Sequence, residues 1–327
     1  MNSSTRSVLA AICGFLAVTV LTASCLFADE PAEAVTHNSG VKLIVLGIAQ
    51  DAGFPQAGCK KICCAQAWDD ESIRRNVVSL AVIDQETGQR WLFECTPDFP
   101  LQLRMLDERY PKENGSSELD GIFLTHAHIG HYAGLIHLGR EVMGASNTPV
   151  YAMPGMSDFL KNNGPWSQLV TLENIALQPI RKDEPVQLND RIKVTPFQVP
   201  HRDEFSETVG FRIEGPEKSV VFLPDIDKWG RWSVQIEDVI RACDYAYLDG
   251  TFFEDGELPG RDMASIPHPF VSESINRFSV LDAEQRSKVR FIHFNHTNPV
   301  LQPDSPASTQ IQRAGMSIAE EGEVFDL

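Results

Sequence analysis

The pattern of apolar and polar positions divides the chain into a short leader, a polar stretch and a long body rich in buried strands. Val8 to Ala23 is almost entirely apolar, with Arg6 before it as the leader's one charge and Ala28 closing it ahead of Asp29-Glu30-Pro31. Residues 1–28 read as an export signal and residues 29–40 as a linker. The apolar run approaches the length of a spanning helix, so removal of the leader predicts a chain without a stable membrane span.

From residue 41 the period changes. Val41 to Gly47 is a continuous apolar run, the pattern of a strand covered on both faces. Residues 50–64 read as a loop carrying glycines and cysteines. Val77 to Ile83 and Arg90 to Cys95 read as strands joined by a turn at Thr87-Gly88. Helical spacing follows from Phe99 to Arg109, then a short apolar strand from Gly121 to Thr125. Tyr132 to Met143 reads as a helix, Val150 to Ala152 as a strand, and Ser157 to Asn162 as the start of a helix.

The second half repeats the style. Ile192 to Val199, Val209 to Ile213, Ser219 to Leu223, Tyr245 to Leu248 and Val289 to Phe294 read as strands. Ser233 to Ala242 and Ser272 to Phe278 read as helices. Two β-rich halves with helices predict an α/β fold, a four-layer αββα sandwich over residues 41–327.

Composition narrows the function classes. Of 327 residues, 43% are hydrophobic and 22% charged, which excludes a disordered chain and a multi-pass membrane protein. Lys and Arg number 28 against 45 Asp and Glu, a net charge of −17. So acidic a body repels phosphate backbones, so nucleic acid is not an expected partner and a small-molecule substrate is. An anionic substrate would need a local cation, such as a metal ion. Of seven cysteines, Cys13 and Cys25 lie in the leader. The other five are an odd number and no disulfide scaffold. Cys95 and Cys243 fall in apolar stretches and read as small core residues. Leu21-Thr22-Ala23-Ser24-Cys25 has the outline of a lipoprotein cleavage site, so the exported chain is expected in the periplasm or secreted, with lipid anchoring open.

The segment richest in chemistry is Thr125-His126-Ala127-His128-Ile129-Gly130-His131. It carries three of the nine histidines directly after a predicted strand. Imidazoles concentrated on one loop at a strand end can converge on one or two metal ions. His137 reads as structural and His268, between Pro267 and Pro269, as a loop residue at the pocket mouth. Trp229 and Trp232 read as core packing.

This segment resembles the His-x-His-x-Asp-His motif of the metallo-β-lactamase fold family. Later residues match that family in order: His201 in Val199-Pro200-His201, Asp225 after Val221-Phe222-Leu223-Pro224, and His293 in Phe291-Ile292-His293. The resemblance implies a first metal site of His126, His128 and His201. It implies a second of His131 and His293, with Asp225 bridging. Gly130 stands where the family usually has a metal-binding Asp. His296 and Asp249 are the candidates to replace it.

A narrower resemblance, to the pyrroloquinoline quinone biosynthesis protein B family, covers nearly all of residues 41–327. It rests on Gly53-Phe54-Pro55-Gln56, Cys59 and Cys64, Asp249-Gly250-Thr251-Phe252, Gly260-Arg261-Asp262-Met263 and Asn295-His296-Thr297-Asn298-Pro299. That family typically lacks histidines at the positions of His126 and His128, so this chain resembles an exported relative with a fuller ligand set. The resemblance also implies a structural zinc on Cys59, Cys63 and Cys64, with Lys61 in place of an expected fourth cysteine.

Together these resemblances imply a metallohydrolase with one or two zinc ions, iron being possible. Hydroxide on the metal would attack an ester or phosphodiester, with Asp225 and Asp249 as its catalytic carboxylates. An iron-dependent oxygenase is the alternative, and a non-catalytic exported metal or cofactor binder the third.

Overall fold

The structure, a computed structural model, describes residues 40–327. The expected export signal and all of the expected linker but Gly40 lie outside the described residues, as do Cys13 and Cys25. Among the described residues, no helix is long and apolar enough to cross a membrane.

The strands in chain order are β1 (Val41–Gly47), β2 (Ser79–Asp84), β3 (Gln89–Phe93), β4 (Gly121–Phe123), β5 (Thr148–Ala152), β6 (Ile175–Pro179), β7 (Val186–Gln187), β8 (Lys193–Gln198), β9 (Val209–Glu214), β10 (Ser219–Leu223), β11 (Tyr245–Asp249), β12 (Val289–Ile292), β13 (Ser317–Ile318) and β14 (Val324–Asp326). They form two seven-stranded sheets, ordered β14-β1-β2-β3-β4-β5-β6 and β13-β12-β11-β10-β9-β8-β7. The two sheets share a plan: β1 to β3 and β7 to β10 are antiparallel meanders, and β3 to β6 and β10 to β13 are parallel.

The helices are α1 (Ile62–Asp69), α2 (Phe99–Arg109), α3 (Ile129–Tyr132), α4 (Pro154–Asn162), α5 (Trp166–Thr171), α6 (Ile236–Arg241), α7 (Val271–Phe278), α8 (Ala283–Ser287) and α9 (Pro306–Arg313). Phe99, Leu103, Met156, Leu160 and Leu169 of α2, α4 and α5 pack on Ile44, Leu46, Leu92 and Ile122 of the first sheet. Alternate residues of the same strands, Leu43, Val45 and Phe93, turn to the other face and meet Phe211, Phe222 and Phe291 of the second sheet. Both faces of β1 are therefore covered, which is why it reads as an unbroken apolar run. Each such buried aliphatic side chain contributes about 1.5–3 kcal/mol. An aromatic seam crosses the interface: Phe93 stacks on Phe123 at 5.0 Å and Phe123 on Tyr151 at 4.3 Å, with Phe211 edge-on to Phe93 at 5.6 Å. The four-layer sandwich expected from the sequence is the fold.

Two local expectations need correction. The helix expected over 132–143 is instead the single turn α3, a tighter 3-10 stretch over Ala133–Leu138 and a run of turns. The cause is competition for backbone groups. Cys95 N–H donates to His131 O at 2.9 Å and Gly134 N–H donates to Cys95 O at 2.8 Å, so both groups leave the α-helical ladder. The loop expected over 50–64 ends early, because Ile62 opens α1 and places Cys63 and Cys64 on its first turn.

The fold brings one end of both sheets together. Within the first sheet β1, β3 and β4 run the same way, and within the second β8, β10, β11 and β12 do, and the segments that follow their carboxyl ends carry the site. The loop after β1 ties the sheets: Ala49 bridges to both Val77 and Phe294, and Gln50 N–H donates to Phe294 O at 2.8 Å.

Candidate metal centre

At that shared end, each strand delivers one to three polar side chains into a buried space. His126, His128 and His131 follow β4, His201 follows β8, and Asp225 follows β10. Asp249 closes β11 and His293 follows β12. Asp225 is the hub. Its Oδ2 lies 2.9 Å from His131 Nε2, 3.3 Å from His293 Nε2 and 3.6 Å from His126 Nε2. Its Oδ1 lies 3.4 Å from His268 Nδ1 and 3.7 Å from His201 Nε2.

The side chains fall into two main groups. One donor atom each from His126, His128 and His201 lies within 4.8 Å of the others, and so does one each from Asp51, His131 and His293. The residues expected at the first site, and those expected at the second, are thus brought together by the fold. Asp51 joins the second group unannounced.

Outer side chains aim the rings inward. Thr125 Oγ1 lies 2.9 Å from His126 Nδ1, Thr251 Oγ1 2.9 Å from His293 Nδ1, and Glu94 Oε1 3.3 Å from His131 Nδ1. The two threonines occupy the rear nitrogens of His126 and His293, Glu94 stands behind His131, and each ring leaves Nε2 facing Asp225, the arrangement that orients metal-binding imidazoles. Glu94 and His293 hold left-handed backbone, with φ of 78° and 68°. For non-glycine residues this costs on the order of 1–3 kcal/mol each, and such strain collects at functional sites.

The electrostatics follow from burial and crowding. Burial drives His126 well below the ordinary imidazole range and His201 down to about 4. Burial also lowers His293, against the pull of Asp225. His131 goes the other way: burial opposes its proton, but Glu94, Asp225 and Asp51 together raise it well above the usual range. Burial works to raise Asp225, yet the surrounding imidazoles carry it well below the carboxylate range. The neutral imidazoles of His126, His201 and His293 around an ionised carboxylate are protonation states that cation binding requires, whereas His131 gives up its proton when an ion takes its place.

Two residues take places other than those expected. His268 is not at the mouth but buried in the centre, with Nδ1 2.8 Å from Asp249 Oδ2. Asp249 is spent on orientation: Oδ1 accepts from Thr251 N–H and Oγ1, and Oδ2 accepts from Ile226 N–H. His296, expected as an extra ligand of the histidine centre, lies instead with the cysteines. Its Nδ1 is 3.3 Å from Cys64 Sγ and 3.7 Å from Cys63 Sγ, and Cys59 Sγ is 3.8 Å from Cys63 Sγ. These four residues form a second compact donor set. Burial pushes the Cys64 thiol up to about 12, with neighbouring Cys59 and Cys63 adding to it.

The remaining residues are structural. His137 stacks on Phe99 at 6.0 Å. Trp229 Nε1 donates to Ser274 Oγ and Trp232 Nε1 to Gln198 O, which ties both indoles into the core. Cys95 and Cys243 are buried.

Sequence reasoning missed Asp51, Glu94 and the central place of His268. The only signal for Asp51 was its position in Gln50-Asp51-Ala52-Gly53, just past a buried strand.

A fold of this plan, with its histidines and bridging carboxylate at the joined sheet ends, defines a class. The chain belongs to the β-lactamase superfamily, whose domain matches residues 89–294, more than half its length. Its fold is the metallo-β-lactamase sandwich, and within that class it is close to coenzyme PQQ synthesis protein B. It is 28% identical over 308 residues to that protein from Methylorubrum extorquens (strain PA1), covering 87% of this chain and 99% of the relative. The crystal structure of zinc-bound PqqB from Methylobacterium extorquens superposes with a TM-score of 0.74 at 24% identity, covering 88% of this chain and all of that one. A diphosphatase from the PhnP family superposes at 0.62 and 22% identity, over 88% of this chain and 97% of that one.

Proposed function

We propose that the protein is an exported metal-dependent hydrolase that cleaves an ester or phosphodiester bond in a small molecule. The observation that carries this reading is Asp225, one buried carboxylate with five imidazoles facing its two oxygens. The residues fit a cation. His131 Nε2, His201 Nε2, His293 Nε2 and Asp51 Oδ1 are buried polar atoms without a hydrogen-bond partner among the described residues. Orphaned donors and acceptors converging on one point are costly unless an ion satisfies them.

His126, His128 and His201 would hold one ion, and His131 and His293 a second, with Asp225 serving both. Zinc suits this nitrogen-and-oxygen donor set, and iron is compatible with it. A bound ion supplies positive charge for a developing oxyanion and lowers the pKa of water to about 7.

The chain's own residues supply the proton. Burial acts against a charged His268, but Asp249 and then Asp225 raise it to about 9. His268 therefore holds a proton at neutral pH and can deliver it to a departing oxygen. Asp249, locked by Thr251 and Ile226, keeps the ring in position. The acidic body repels anions elsewhere, so an anionic group is accepted only at this imidazole-rich centre. Similarity in fold to a diphosphatase agrees with a phosphorus–oxygen target. Export rests on the leader pattern of residues 1–28.

The iron-dependent oxygenase alternative draws on the resemblance to the quinone biosynthesis family and on a mononuclear histidine site that Gly130 favours; Asp51 in the second group weighs against a mononuclear site.

The test is metal content by mass spectrometry, paired with turnover of bis(p-nitrophenyl) phosphate and p-nitrophenyl acetate. Wild type should bind metal and hydrolyse at least one substrate. The His126→Ala/His128→Ala variant should lose metal and activity together. Metal-loaded wild type inert toward both classes would favour the non-catalytic binder and overturn the reading.

A further inference from the structure

Gly130 and Asp51 compete for one volume. An ideal Cβ built on Gly130 would lie 2.3 Å from Asp51 Cα, 2.3 Å from Asp51 Oδ1 and 2.9 Å from Asp51 Cβ. Two of those atoms are backbone or backbone-fixed, so rotating the Asp51 side chain gives no relief. A side chain at 130 and Asp51 in its present place exclude each other.

The carboxylate that fills this volume is fixed from elsewhere in the chain. The loop after β1 is pinned between the sheets, with Ala49 bridging Val77 and Phe294. Gly53 N–H donates to Gln50 O at 2.8 Å, closing a tight turn whose first inner residue is Asp51. Asn295 Nδ2, two residues past His293, donates to Gln50 Oε1 at 2.5 Å. The turn is thereby clamped to the segment that carries His293.

Asp51 Oδ1 ends 3.4 Å from His131 Nε2. It is buried and lacks a hydrogen-bond partner among the described residues, as do His131 Nε2 and His293 Nε2. Three converging orphaned atoms, one of them on a carboxylate, make a donor set rather than a packing contact.

We infer that Asp51 is a ligand of the second ion, and that Gly130 is retained so that this carboxylate can enter from the loop after β1. The ligand has moved from the histidine segment to a distant loop while its position in space is kept. This inference rests on the metal-dependent reading above.

The experiment measures zinc per chain and zinc affinity, by mass spectrometry and by competition with a chromophoric chelator, on the full chain. Asp51→Ala should lose one ion relative to wild type, with affinity at that position reduced at least about tenfold. Asp51→Asn, which keeps the side chain's size but removes its charge, should weaken binding at the same position. Gly130→Asp alone should not raise the count. Unchanged stoichiometry and affinity in Asp51→Ala, with an ion still lost in His126→Ala/His128→Ala, would overturn this inference and leave the hydrolase reading standing. Loss of no ion in the histidine double variant would overturn both. Should Asp51→Ala fail to fold, Asp51→Asn decides alone: an ion lost or bound at least about tenfold more weakly supports the ligand role, and wild-type count and affinity overturn it.

Discussion

Asp249 Oδ2 and His268 Nδ1 lie 2.8 Å apart in the interior, although 18 residues separate them in the chain. The carboxylate has no freedom to turn away, because Thr251 and Ile226 N–H groups hold both its oxygens. His268 is thus a charged imidazole aimed by a fixed partner. Replacing it with Ala should lower kcat by about 10²–10⁴ with KM little changed. The loss should be greater for substrates with poor leaving groups, and metal content should be retained. Asp249→Asn should produce a smaller loss with the same leaving-group trend. A uniform loss across leaving groups would mean that His268 acts on structure, not on the departing oxygen.

The thiol cluster makes a separate demand. Cys63 and Cys64 on the first turn of α1 reach His296, which lies 232 residues further on beside the end of β12. A zinc ion on this Cys3His set would cross-link the two ends of the domain and stabilise it by binding only the folded state. Cys64→Ser should remove one zinc and lower Tm by roughly 3–7 °C, the shift that about 2–4 kcal/mol produces in a domain of this size. The ion count at the histidine centre should be unaffected. A wild-type Tm indifferent to a strong chelator, with no zinc lost in Cys64→Ser, would rule the structural ion out.

The parts of the centre that were legible in the sequence are those carried by short local patterns. His126, His128 and His131 sit within six residues after an apolar strand, and Asp225 and His293 each follow one. Asp51 and His268 carry no such mark. Asp51 enters through a turn whose position depends on Ala49 bridging two sheets, a tertiary event with no periodicity of its own. His268 lies between two prolines in a loop whose path inward is set by its pairing with Asp249. The misread helix after His131 has the same origin. Its apolar spacing is real, but Cys95 takes the backbone groups that a helix would use. Local pattern fixed strand identity, because both faces of β1 and β10 are buried. Distant backbone pairing decided the rest.

Arg90 offers a test of the first sheet that is independent of the centre. It is the second residue of β3 and is buried, with Nη1 2.6 Å from Asp107 Oδ1 and Nη2 donating to the carbonyls of Ser116 and Glu118. One guanidinium thus satisfies a carboxylate of α2 and the loop that leads into β4. Arg90→Ala should destabilise the protein by about 3–5 kcal/mol in urea denaturation, since it strands those acceptors. Asp107→Asn, which leaves the carbonyl contacts in place, should cost far less. Equal losses from the two would assign the whole effect to the ion pair and refute the role given to the carbonyls.

Two buried glutamates predict how stability responds to pH. Burial raises Glu257 and Glu321 to about 7 each, although the Thr297 hydroxyl and Phe253 N–H donate to the first and Asn76 N–H to the second. In the unfolded chain a glutamate titrates near 4.3. Between these values the folded state binds more protons than the unfolded, so stability falls as pH rises, by at most about 1.4 kcal/mol per pH unit for each group. The contribution is fully present below the unfolded pKa and is lost as pH climbs through about 7. Buried neutral histidines such as His126 and His201 act in the opposite sense, since they lose stability as pH falls through the unfolded imidazole range. Wild-type Tm against pH therefore mixes the two effects, and the difference between variant and wild type separates them. Glu257→Gln removes one of the titrating carboxyls. Its Tm relative to wild type should rise steadily from pH 5 to pH 8 and level off above that. A difference that stays flat over this range would mean that Glu257 is ionised in the folded protein throughout.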